Sequence, residues 1–410
     1  VRIDKYLSTA TIYLQETGHI TVFKKDGLHS RMIKPRNYSL TPADVQAITT
    51  FLSKQPTYEF AAPYLFSHGL LGNGCKSFPF VGRGFIPALQ ERILNHDAVR
   101  TNIPEFQSVL KGQALWHSKD MNQVSLARGL ARRMGKSLRE GTAKKALFLT
   151  PDDCASPEAS KLLQKDSSVQ ILGRTFDGGN GALDADVTSE YSTGFSITED
   201  TSLQAPLGLI QDLVQTDKVS YLAIFLKERM EAPRLVQALK MEMKKQNIDI
   251  DAYAWNDIRL NPGFVQGQSV MAFTVAFVSA IVVGVALLSI LNTLSISLAE
   301  SRREIGTLLA IGYNSVEVAW IFMVEALATS IIALSLGAAG TYGICEFISY
   351  LAIPLKAPGF SHATIFRFTP TIYNYIYLSI FLCALTSLTT FVMARRYASR
   401  NILTLLDRGG

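Results

Sequence analysis

Between Ser269 and Ala299 the chain carries no charged residue. The run is about 30 residues long, where about 20 apolar residues suffice to cross the hydrocarbon core of a bilayer. Val318 to Cys345 is apolar apart from Glu325, and Tyr373 to Ala394 again has no charge. Three such segments in succession predict three membrane-spanning helices, because a soluble core rarely holds consecutive helices that are apolar on every face. The overall hydrophobic fraction of 48% conceals this division, since charges are dense up to Arg259 and sparse afterwards.

The first half reads as a water-soluble α+β domain, residues 1–262, followed by an all-α transmembrane domain, residues 263–410. Gly18 to Phe23 alternates like a strand and ends at the turn pair Asp26-Gly27. Thr41-Pro42-Ala43-Asp44 is a helix start, with Pro at the first position of a helix running to Lys54. The spacing of Leu126, Leu130 and Met134 predicts an amphipathic helix over Val124 to Lys136. Ala146 to Thr150, Val169 to Leu172, Tyr221 to Lys227 and Asp249 to Trp255 read as strands, and Ala232 to Gln246 as a helix with Leu235, Leu239 and Met243 in register. Asn261-Pro262-Gly263 breaks the pattern and marks the domain boundary.

Lys and Arg in the connecting segments set the orientation. Arg302, Arg303, Arg395, Arg396, Arg400 and Arg408 flank one ends-of-helix side, against Lys356 and Arg367 on the other, which puts the tail inside and the soluble domain outside. Residues 1–25 alternate and carry charges, so they are unfit to cross a membrane as a helix. An outside domain then implies a further apolar span before Val1 in the natural gene product, packing beside the first span through Ala272, Ala276, Ala280 and Gly284. Ala276, Ala280 and Gly284 in the first span, and Ala333, Gly337 and Gly340 in the second, are small residues suited to close helix packing.

Chemistry-bearing motifs are thin. Gly129 to Ser137 reads GLARRMGKS, but five residues rather than four separate its glycines, so it misses the phosphate-loop pattern. The six histidines form no HExxH, no serine stands in a GxSxG elbow, and the four cysteines show no metal-ligand spacing. No catalytic residue, metal site or cofactor is expected on this chain. The net charge of +6 is not gathered into a run or stripe that would suit nucleic acid. Cys75 and Cys154 both fall in the soluble half, where an oxidising compartment would permit one disulfide; whether they meet depends on the fold. Glu325, inside the second span, suits a structural hydrogen bond better than proton transport.

Between the first two spans, on the basic side, lies an amphipathic helix of residues 300–311. Glu300, Arg302, Arg303 and Glu304 supply its polar face; Ile305, Leu308, Leu309 and Ile311 its apolar contacts; Gly312 stops it. It either covers the ends of the spans or docks a cytoplasmic partner.

The stretch SRREIGTLLAIGYNSVEVAWIFMVEAL, Ser301 to Leu327, resembles the FtsX-type permease domain of ABC transporters, a family that includes macrolide-exporter and lipoprotein-releasing permeases. LQETGHITVF (Leu14 to Phe23) and LARGLARRMG (Leu126 to Gly135) are similar to its outer domain, and VQILGRTFDGGNGALDADV (Val169 to Val187) is most similar to the lipoprotein-releasing branch. The resemblance implies four spans in the full topology and a periplasmic domain between the first and second. It implies a bacterial inner-membrane location and pairing with a second permease copy or paralogue. It also implies a dimer of separate cytoplasmic ATPases, which hold the ATP and Mg and dock on Glu300 to Ile311. The substrate would be a lipoprotein or another amphiphile. Alternative readings are an FtsX-like signalling module that activates an envelope hydrolase and a drug-exporter-like permease.

Overall fold

The computed structural model describes residues 3–104, 106–117, 120–136, 154, 166–356, 359–365 and 372–399. The chain divides into two compact units. The first comprises residues 1–266 with 354–365, the second residues 267–353 with 366–410. The segment from Pro354 to Ile365 thus packs with the soluble half, although it lies between two long apolar helices in sequence.

In the first unit, strand β1 (Ile20–Lys24) lies between β10 (Ile250–Ala254) and β9 (Tyr221–Leu226), antiparallel to both. Every residue of β9 is buried, which explains its unbroken apolar run: a strand covered on both faces has no polar side to alternate. Helix Ala232–Lys245 buries Leu235, Leu239 and Met243 at the spacing the sequence predicts. Helix Pro42–Leu52 begins in a reciprocal cap, Thr41 Oγ1 accepting from the Asp44 N–H while the Asp44 carboxylate accepts from the Thr41 N–H.

β2 (Tyr58–Gly72) belongs to two sheets. Its first half pairs β9, whereas Leu65–Gly72 pairs β3 (Ser77–Phe85) and its last residues pair β6 (Ser168–Arg174). From β3 the ladder passes to β8 (Ser202–Pro206), β5 (Gln123–Ala127) and β7 (Asn180–Tyr191), then back through β6 to β2. This circuit closes on itself, so these six strands form a small barrel; β4 (Val109–Gly112) adds to β7 outside it. Leu71, Val124, Leu126, Ile171, Val187 and Leu203 fill the associated core. Helix Leu207–Val214 packs onto it so closely that a Cβ at Gly181 would lie 1.9 Å from the Leu213 carbonyl oxygen.

Two expectations change here. Val124 to Lys136 is not one helix: Gln123–Ala127 is β5, fully buried between β8 and β7, and only Arg128–Arg133 is helical. Leu126, Leu130 and Met134 do enter one core, but from two elements, and strand pairing overrides the helical spacing. Asn261-Pro262-Gly263 is a helix start rather than a break, with Pro262 the first residue of helix Pro262–Glu300. The glycine-rich turn before Asn180 is the β6–β7 connection, with Thr175 N–H donating to Gly179 O. The strand expected over Ala146 to Thr150 lies outside the described residues.

Among the described residues three helices are long and apolar enough to cross a membrane: Pro262–Glu300, Ser315–Leu351 and Ile372–Ala398, which belong to the second unit except for the first turn of Pro262–Glu300. The last two pack side by side, with Ser330 Oγ and Thr386 Oγ1 3.0 Å apart, Tyr375 donating to the Leu334 carbonyl, and Trp320 edge-on to Phe391. Phe273, Ile332 and Phe381 face outward, as lipid-facing side chains do.

Candidate functional site

The apolar run of the first long helix ends at Glu300, and Ser301 separates it from a distinct helix, Arg302–Ile311. The far end of this short helix is closed by Gly312 in the left-handed region, φ 107°, with Tyr313 N–H donating to Leu308 O and Gly312 N–H to Leu309 O. That pair of bonds satisfies carbonyls the helix would otherwise leave bare, and a residue with a Cβ is strained at this φ. Two residues later Asn314 and Glu317 form a reciprocal cap, Asn314 N–H donating to Glu317 Oε2 at 2.8 Å, and helix Ser315–Leu351 begins. One helix is therefore stopped and the next started within three residues, which leaves little slack in the connection.

The two faces of the short helix differ. Ile305 is fully buried with Leu298, Val318, Ala319, Ala394 and Ala398, and Leu308 and Leu309 pack against that cluster. These three apolar residues anchor the helix to the ends of the long helices. Glu300, Arg302, Arg303, Glu304, Thr307, Ala310 and Ile311 are exposed. The Arg302 guanidinium lies over the Tyr397 ring, 5.9 Å from its centroid. Ile311 is 71% exposed and Tyr313 45% exposed. The available apolar face is thus Ala310, Ile311 and Tyr313. The sequence reading named only Ile311 of these; the spacing from Arg303 through Thr307 to Ala310 and Ile311 is the signal that marks the outer stripe.

Ala276, Ala280, Ala333, Gly337 and Gly340 are exposed, Gly284 is half-buried, and a Cβ built at any of the three glycines meets nothing within 4 Å. The second and third helices meet along the stripe of Ser330 and Leu334. Glu325 lines a cavity of ≈ 600 Å³ together with Ser289, Thr293, Thr329, Ser330 and Thr386. In the soluble unit Cys75 and Cys154 are joined by a disulfide, with their Cα atoms 5.5 Å apart. Cys75 sits in the β2–β3 turn, where Asn73 Oδ1 accepts from the Cys75 and Lys76 N–H groups. Among the described residues no group of three or more His, Cys, Asp or Glu is placed to hold a metal ion.

Residues 276–402 match the family described as FtsX-like permease C-terminal. No curated protein matches the chain. Among solved structures, the periplasmic region of MacB from Actinobacillus actinomycetemcomitans is similar at 15% identity over 60% of this chain and 92% of that one, with a TM-score of 0.36. The extracellular domain of the noncanonic ABC-type transporter YknZ from Gram-positive bacteria is similar at 10% identity, covering 57% and 98% of the two chains, with a TM-score of 0.32. The matched segment holds the short helix Arg302–Ile311 and the greater part of the three long apolar helices, so this part of the chain is similar to the C-terminal domain of FtsX-like permeases.

Proposed function

We propose that this chain is the permease subunit of a mechanotransmission ABC transporter in a bacterial inner membrane. A separate dimeric ATPase, which holds the ATP and Mg, docks on the exposed face of Arg302–Ile311. Nucleotide-driven movement of that helix passes through the long helices to a periplasmic domain that extracts or exports a lipoprotein-like or other amphiphilic substrate. The permease pairs with a second copy or a paralogue. One observation carries the reading: a short helix clamped between two membrane-length helices, anchored by Ile305 and bare at Ala310, Ile311 and Tyr313. A rigid lever with one face fixed and one free suits transmission of force.

Ile311→Asp tests it. The side chain is mostly exposed, so folding is little affected. Burying an isoleucine at an interface contributes roughly 1.5–3 kcal/mol, and an unpaired carboxylate there adds a penalty, so association falls on the order of 30-fold or more. Tagged chain purified from its native host should carry co-purifying ATPase activity that Ile311→Asp removes and Thr307→Ser retains. Equal activity with wild type and Ile311→Asp would reject the docking face.

A further inference from the structure

The first unit contains a second cavity, of ≈ 720 Å³ and partly open, which the coupling scheme does not use. That volume lies within the range of sites for small organic ligands, roughly 300–1,000 Å³. Its walls are largely apolar and aromatic, with Phe23, Phe66, Trp116 and Phe195 among them. Three lining side chains carry charge: Glu16, Arg31 and Arg83.

Two of those charges cancel. Glu16, only 3% exposed, forms an ion pair with Arg83 and accepts further hydrogen bonds from Gln90 Nε2 and, at 3.3 Å, from Gln204 Nε2. Its backbone is held in the left-handed region at φ 59°, a conformation that costs free energy for a residue other than glycine. Burial opposes the Arg83 charge, but the Glu16 carboxylate together with Tyr221 and Tyr191 holds the Arg83 pKa above its usual value.

Arg31 has no such partner. Its Nη1 donates to the carbonyls of Gly27 and Leu28, and its guanidinium lies 4.7 Å from the Phe23 ring centroid and 5.6 Å from that of Phe66. Nε is buried and has no hydrogen-bond partner, and among the described residues no carboxylate lies within ion-pair distance. The ring faces stabilise the cation in part, but a buried N–H without an acceptor is costly. The cavity therefore presents one uncompensated positive charge beside an aromatic wall.

We infer that this cavity binds an amphiphilic monoanion, an acyl or aromatic body with one carboxylate-like head, whose head pairs with Arg31 while its body lies against Phe23, Phe66 and Trp116. The inference goes beyond the permease reading and is measured without an ATPase, so failure of either leaves the other standing.

The test uses the full chain in nanodiscs with dansyl-undecanoate and, as the uncharged counterpart, its methyl ester; empty nanodiscs supply the background. Sensitised dansyl emission that falls in Trp116→Phe relative to wild type locates the probe beside Trp116. The acid should bind saturably and roughly tenfold or more tightly than the ester, as a charge-assisted hydrogen bond implies. Arg31→Gln should weaken the acid by a similar factor and leave the ester unchanged, whereas Val81→Trp, which fills the cavity from a lining position, should weaken both. An ester that binds wild type as tightly as the acid, or no saturable signal above empty nanodiscs, overturns the inference. So does undiminished acid binding to a folded Arg31→Gln. If Arg31→Gln fails to fold, the acid-against-ester comparison on wild type decides alone.

Discussion

Acidifying the protein from pH 7 to pH 4 should loosen the sheet around His19. This residue joins the strands through its backbone, donating to Ile224 O at 2.8 Å and accepting from Trp255 N–H at 3.0 Å. Its ring is buried, edge-on to Tyr13 and Phe225, and its Nδ1 accepts a hydrogen bond from the Leu226 N–H at 3.0 Å. The bond requires a neutral imidazole with Nδ1 bare; protonation would set one N–H against another. Burial, helped by the nearby His96 and Arg229, pushes the His19 pKa down from 6.5 to about 4. The sign follows directly. Above pH 6.5 neither the folded nor the unfolded state holds the proton, and the full stability is present. Below it the unfolded chain takes up a proton that the folded one refuses, so stability is lost progressively until about pH 4. The total is about 3 kcal/mol, at 1.36 kcal/mol per pKa unit. Hydrogen–deuterium exchange of peptides containing Leu226, corrected for intrinsic rates, should show protection falling on the order of 100-fold between pH 7 and pH 4. His19→Asn keeps an acceptor near the Leu226 amide and cannot titrate, so its protection starts lower but loses the pH slope across this window. An identical slope in wild type and His19→Asn would refute the reasoning.

Lys136 and Asp166 form a buried pair, their side chains 1% and 2% exposed, with Lys136 Nζ also donating to the carbonyls of Asp166 and Ser168 at 2.9 Å. Asp166→Asn strands a buried cation whose pKa burial already lowers, and should cost roughly 3 kcal/mol in urea unfolding. The double variant Lys136→Met, Asp166→Leu should recover most of that, and failure to do so would show that the pair is needed for its geometry. Gly312→Val should strain the left-handed turn by roughly 1–2 kcal/mol and uncouple the ATPase while the soluble unit melts as in wild type. Normal coupled ATPase activity in Gly312→Val would show that the turn between the helices is not a stiff element.

What the sequence determined by itself was whatever rests on local composition. Charge-free runs longer than a bilayer is thick predict helices wherever they occur, and the Gly312 stop and Asn314-to-Glu317 start are chemistry within a few residues. The same holds for the Thr41 cap and the apolar register of Leu235, Leu239 and Met243. Only the tertiary structure decided which face each helix buries. Ile305 and Ile311 are equally apolar, yet one is sealed against Leu298 and Val318 and the other is open, because the direction of burial depends on where the neighbouring helices end. The strand at Gln123–Ala127 was likewise invisible, since its ladders come from Asp186–Tyr191 and from Leu203 and Gln204, far away in sequence. The uncompensated Arg31 was hidden for the same reason. Whether a charge is paired depends on which residues the fold brings within 4 Å, and Glu16 is brought to Arg83 instead.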